Sequence, residues 1–199
     1  TAGSSDLYCV EHFANMANHL AEGGIASQWL PLYQLSAEDV RTVVASWVEA
    51  FPNTSAWLTA YDLVLVGAIE ELPGPADLAS AQLAPAMASA LAEAGVRSAS
   101  EMAALYAGND ADLRAFAGDT PPMHDDRPAL EFRAPRSFLA GYSVEALRWA
   151  ARREVVAELP EASRADAVRV RDLLDTFLDE LPGGWSQAAS KYGKALIGG

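Results

Sequence analysis

The chain has 199 residues, 51% of them hydrophobic and 21% charged, with 27 acidic against 14 basic side chains and a formal net charge of -13. A chain of this length buries roughly 70% of the surface it exposes when unfolded, so one globular domain or two small ones are expected and wholesale disorder is excluded. No run of apolar residues approaches the ~20 that span a bilayer. The opening TAGSSDLY lacks the basic start and apolar stretch of a signal peptide.

Charge narrows the field further. Arg41 is the only basic residue before Arg97, against nine Asp or Glu up to Glu71, so the N-terminal third would repel a phosphate backbone and nucleic acid is not an expected partner. Six of the twelve arginines lie between Ser143 and Leu181 among nine acids, which reads as a solvated, salt-bridged face. Cys9 stands alone, so neither an internal disulfide nor a cysteine-based zinc site can form.

Taken in chain order, Ser4, Ser5 and Asp6 offer caps, and Leu7, Val10, Phe13, Met16 and Leu20 follow at helical spacing until Gly23 and Gly24 stop the turn. This predicts a helix over residues 6–21. Ile25 to Leu30 reads as a short buried strand ended by Pro31. Ser36-Ala37-Glu38-Asp39 is a capping-box start for a helix that turns Val40, Val43, Val44, Trp47, Val48 and Phe51 inward. Two apolar runs, Ser55 to Ala60 and Leu63 to Ile69, predict an antiparallel hairpin at a sheet edge. From Ala76 the composition becomes Ala- and Leu-rich. One helix is interrupted near Pro85 and resumes to Ala94, and Ser98 with Glu101, Asn109 with Asp112 and Ser163 with Asp166 mark three further starts. Residues 119–136 form a polar, Pro-rich loop in which only Ala129 to Arg133 is expected to be extended. Trp185 to Leu196 carries a pattern like the first helix of a tetratricopeptide unit. The predicted architecture is α/β over residues 1–72, followed by a mainly α region over 73–199.

The run from Leu7 to Gly67 resembles spermidine/spermine synthase-like proteins, the polyamine aminopropyltransferases. It is most similar to the bacterial branch in which that domain is fused to membrane helices or repeats. The residues that carry the likeness are Leu7, Tyr8, Glu11 and Phe13; Gly23, Gly24, Gln28, Trp29 and Leu30; Ser36, Glu38 and Asp39; and Phe51, Pro52, Trp57, Leu58, Leu65, Val66 and Gly67. The later DDRPALEFRAPR resembles the same branch, so the likeness covers roughly residues 3–69 and 119–137. It implies the second half of a methyltransferase-like, Rossmann-type sheet, with decarboxylated S-adenosylmethionine as aminopropyl donor wherever the first half is present. It also implies a cytoplasmic protein, brought to the membrane by an upstream segment or a partner.

Within residues 1–199 no Gly-x-Gly loop joins a strand to a helix, and no acidic residue ends a following strand to hold a ribose. By the resemblance, the family's catalytic Asp falls before Thr1, and Thr1 itself, in place of Met, suggests a piece of something longer. Asp6 is the nearest carboxylate and reads as a helix cap. No catalytic or cofactor-binding residue is therefore assigned, and the chain alone is expected to be inactive. Gln28 is the substrate-binding candidate, at the carboxyl end of a strand where open α/β sheets collect ligands, with Trp29 and Tyr33 beside it. His12 and His19 lie about 10.5 Å apart along one helix, too far to share a metal. His124, Asp125 and Asp126, with Glu131 nearby, form an acidic motif read as structural, and Cys9 with His12 lacks a third orienting group for thiol catalysis. Three readings follow: the C-terminal part of a spermidine synthase-like transferase, a non-catalytic interaction module on the same scaffold, or a fragment of an S-adenosylmethionine-dependent methyltransferase. A protein partner, or the missing half of the same polypeptide, is expected along the edge of the strand Ile25 to Leu30.

Overall fold

A computed structural model describes residues 5–59, 62–133, 144–151 and 155–181. The tetratricopeptide-like pattern at 185–196 lies outside them. Four strands, β1 (Ile25–Pro31), β2 (Asn53–Leu58), β3 (Asp62–Ala68) and β4 (Tyr106–Asn109), form one sheet in the order β1-β3-β2-β4. β1 runs antiparallel to β3 in a register from Ile25 opposite Ala68 to Pro31 opposite Asp62. The mixed α/β class is as expected from sequence. The hairpin, however, is not at the edge of the sheet: β3 sits inside β1, and β4 continues the sheet beyond β2. β4 carries no strand signal in the sequence, because YAGN is four residues long and ends in the cap of the next helix.

The described residues fall into two compact units, one drawn from 1–57, 61–72 and 108–150, the other from 58–60, 73–107 and 151–199. A boundary therefore lies at residues 72 and 73, and the first unit also takes in the segment that follows Ala107. In the first unit a 3-10 turn (Ser5–Tyr8) leads into α1 (Val10–Asn18), whose N-cap is Cys9 rather than a residue of the Ser-Ser-Asp stretch. Asp6 lies within the 3-10 turn instead. Gly23 adopts φ +68, the left-handed conformation that glycine enters at little cost, and reverses the chain toward β1. α2 (Ala37–Ala50) begins at a complete capping box, with the Ser36 hydroxyl accepting from the Asp39 N–H at 3.1 Å and Asp39 accepting back from the Ser36 N–H at 3.3 Å. α6 (Asp110–Ala117) begins in the same way at Asn109.

Strand alternation sorts the sheet. Ala26 and Leu30 of β1 and Leu63 and Leu65 of β3 are buried on one face, whereas Ile25 and Trp29 on the other remain 62% and 49% exposed. Under the buried face, Phe13, Trp47 and Phe51 form a ring cluster with centroids 4.8 and 4.4 Å apart. Gly67 exists to admit it: a Cβ there would lie 2.5 Å from Cγ of Phe51. Residues 129–133 are helical, not extended, with the Glu131 N–H bonded to the Pro128 carbonyl at 3.1 Å. Pro128 precedes the first helical residue and its carbonyl accepts the first bond of the turn. α7 (Val144–Ala151) completes the described part of this unit, with Trp149 stacked on Phe116 at 4.3 Å and Arg41 lying 5.1 Å over the Phe116 ring.

The second unit is helical: α3 (Pro75–Ala79), α4 (Pro85–Glu93), α5 (Ala99–Ala103), α8 (Val155–Glu158) and α9 (Glu161–Glu180). α9 starts at Glu161 after Pro160, not at Ser163, which is buried within the first turn. Its pivot is Glu101, nearly buried on α5, whose carboxylate accepts two bonds of 2.6 Å from Arg169 of α9 and one of 2.7 Å from the Arg97 N–H. Burial pushes this carboxyl up, but the bonds from Arg169 and the Arg97 amide outweigh it and leave the group below its ordinary range.

Two consequences are measurable. Gly67→Ala must displace the Phe51 ring, an overpacking cost of ~1–3 kcal/mol, and should lower the urea midpoint without changing the slope. Because Glu101 is depressed on folding, its contribution is present above the ordinary carboxylate pKa and is lost as pH falls through the folded value. Acid titration of the chain, followed by exchange at α5 and α9 amides, should therefore show these helices loosening on acidification, and Glu101→Gln should flatten that dependence.

Candidate functional site

The sequence candidates occupy different surroundings. Gln28 is half-buried and its side-chain amide donates to the Trp29 carbonyl at 3.0 Å, so it is engaged on its own strand. Trp29, one residue on, points to the opposite face of the sheet. Its side chain bonds the Asp62 carboxyl, which burial pushes up and that bond pulls down, with burial the larger. Tyr33 is half-buried just past the strand. Gln28 and Trp29 thus do not share one wall.

The residues that do converge are Glu11, His124, Asp125, Asp126 and Arg127, around an open hollow of about 470 Å³. Local structure explains the meeting. Glu11 stands in the first turn of α1, and the segment 119–128 is laid against it by Met123. The Met123 side chain is buried, its N–H donates to the Ser46 hydroxyl of α2 at 2.8 Å, and its carbonyl accepts from the Val10 N–H at 2.9 Å. The next two residues then reach one carboxylate: Nδ1 of His124 lies 2.8 Å from Glu11 Oε1, and the Asp125 N–H donates to Oε2 at 3.1 Å. The His124 bond is the main reason the Glu11 carboxyl is held down to about 2. Glu11 in turn raises His124 above its ordinary value. Both side chains are exposed, so the pair is a local feature rather than a large source of stability.

A second hollow of about 350 Å³ adjoins, and His124 and Arg127 line both. Its far wall carries Arg133, which pairs with Glu38, donates to the Thr42 hydroxyl at 2.9 Å and lies 3.1 Å from the fully buried Asp39. The arrangement offers one ionised carboxylate fixed by two donors, with two exposed carboxylates and a guanidinium beside it. It provides hydrogen bonding and charge. The Cys9 thiol donates to the Asp6 carbonyl at 3.0 Å, and burial pushes its pKa up, which keeps it protonated and unsuited to attack. His19 bonds the Asn15 carbonyl at 2.8 Å on its own helix. Among the described residues, no three His, Cys, Asp or Glu side chains form a group that could hold a metal ion, and no helix is long and apolar enough to cross a membrane.

Sequence reasoning placed Glu11 and His124 in separate stretches and did not join them. The one available signal was that both stretches belong to the same resemblance. No protein-family model, curated protein or solved structure matches the chain.

Ser46 offers a direct check on how the segment is held. Ser46→Ala leaves the buried Met123 N–H without a partner, at ~1–3 kcal/mol, and should raise amide exchange at Met123 and its neighbours more than at β1 or β3.

Proposed function

We propose that this chain is the C-terminal part of a spermidine synthase-like transferase, with the donor-binding half and the catalytic Asp outside residues 1–199. The observation that carries the reading is the order β1-β3-β2 with β1 antiparallel to β3 and last in the sheet. The resemblance implies that placement: the strand at Ile25 between a strand of the donor half and an antiparallel strand at Leu63. A second support is that the two stretches sharing the resemblance, 3–69 and 119–137, meet through Glu11 with His124 and Asp39 with Arg133.

In the reaction, a substrate amine attacks the aminopropyl carbon next to the sulfonium of decarboxylated S-adenosylmethionine. A C–N bond forms, the C–S bond breaks, and the thioether leaves with the electron pair while a carboxylate takes the ammonium proton. This chain would supply the sheet against which the donor half is completed, and Gln28 and Tyr33 remain its proposed substrate contacts, while Trp29 faces the other side of the sheet. β1 is the proposed junction. Its seven residues carry no charge, and Ile25 and Trp29 are exposed on it, which suits an added strand from the donor half or from a protein partner.

The experiment compares this chain with a protein carrying its natural upstream coding sequence, each given decarboxylated S-adenosylmethionine and putrescine. The longer protein should form spermidine and the 199-residue chain should bind neither donor nor release thioether. Turnover by the chain alone would overturn the placement of the donor half. A longer protein that binds no sulfonium nucleoside would overturn the transferase reading.

A further inference from the structure

Residues 124–127 are a short strap fixed at both ends. Before it, Met123 is buried and bonded to α1 and α2; after it, Arg133 is anchored on Glu38, Asp39 and Thr42. Between these anchors the strap turns on itself, with the Arg127 N–H bonded to the His124 carbonyl at 3.0 Å. Its hold on α1 consists of the two bonds to Glu11, one from the His124 ring and one from the Asp125 amide.

We infer that the Glu11–His124 pair is a pH-operated clasp, which holds residues 124–127 against the start of α1 while His124 is protonated and releases them when it is not. The inference is independent of the transferase reading. A protonated imidazole donates a charge-assisted bond to the carboxylate. Once neutral, the ring keeps at most an uncharged bond, and its Nε2–H tautomer turns a lone pair toward Glu11. The Asp125 N–H reaches the other oxygen of the same carboxylate, so once the charged His124 bond is lost this single amide bond is left to hold the strap on α1.

The charged groups around His124 favour the protonated ring. Glu11 faces it from α1, Glu49 acts on it from α2, and Asp126 acts on it from the strap, where Asp125 and Arg127 also line the hollow. Across the second hollow Glu38 and Arg133 are paired with each other. Glu11 stays ionised down to about 2, so acid does not open the clasp within the working range. His124 is raised, so its contribution is present below the ordinary histidine value of ~6.5 and is lost as pH rises through its folded value. The clasp is therefore closed in mild acid and opens toward alkaline pH. Both side chains are exposed, so the proton exchanges freely with solvent.

The test follows the full 199-residue chain by NMR between mildly acidic and mildly alkaline pH, reading the three histidine rings and the Asp125 amide. His124 should titrate above the ordinary histidine value. The water-exchange rate of the Asp125 amide, corrected for its intrinsic pH dependence, should rise severalfold with the same midpoint. Glu11→Gln should return the His124 midpoint toward the ordinary value, and His124→Gln should hold the Asp125 amide at its high-pH rate at every pH. Amides of β1 and β3 should not respond. A His124 midpoint at or below the ordinary value, or a corrected Asp125 rate that is flat across the titration, would overturn the clasp.

Discussion

A buried carboxylate organises the first unit. Asp39 is 0% exposed, and a carboxyl group out of water needs polar partners. Three contacts serve it: Oδ2 accepts from the Ser36 N–H and from the Ser36 hydroxyl at 2.7 Å, and Arg133 Nε lies 3.1 Å from Oδ1. The first two are local and start α2. The third comes from 94 positions later in the chain, and with it the helical segment 129–133 is fastened onto α2. The guanidinium also engages Glu38 and Thr42, so a single side chain reaches three residues near the start of α2.

The remainder of the 119–133 segment follows from that attachment. Met123 fills a place between α1 and α2 and leaves no backbone group stranded, since its N–H meets Ser46 and its carbonyl meets Val10. With Met123 and Arg133 fixed, His124 and Asp125 come within reach of the first turn of α1, where Glu11 bonds them. The two hollows are the spaces left on either side of this strap. The acidic lining of the first hollow is a consequence of which residues the anchors leave at the surface.

Much of the local structure was legible in the sequence. Ser36 with Asp39, Ser98 with Glu101 and Asn109 with Asp112 announce helix starts because cap chemistry acts over three residues. The alternation of Leu63, Leu65 and Gly67 marks a strand with one buried face. The start of α1 was placed too early because a 3-10 turn over Ser5–Tyr8 precedes it, and YAGN gives no signal because a four-residue strand has too few alternations to be seen. The site was legible only in part. Every residue of it appears in a motif, but an ion pair between positions 11 and 124 leaves no local pattern, and neither does the pairing of Asp39 with Arg133.

The proposed transferase reading and the clasp both presuppose that the 119–133 segment is built into the first unit through Asp39 and Arg133. A double-mutant cycle tests that most directly, with Asp39→Asn, Arg133→Met and the double variant unfolded in urea. If the pair is the joint described, each single change leaves a stranded partner and the double change costs less than their sum, with a coupling of ~1–3 kcal/mol. Single effects that simply add would show that Arg133 does not hold Asp39, and would contradict the account.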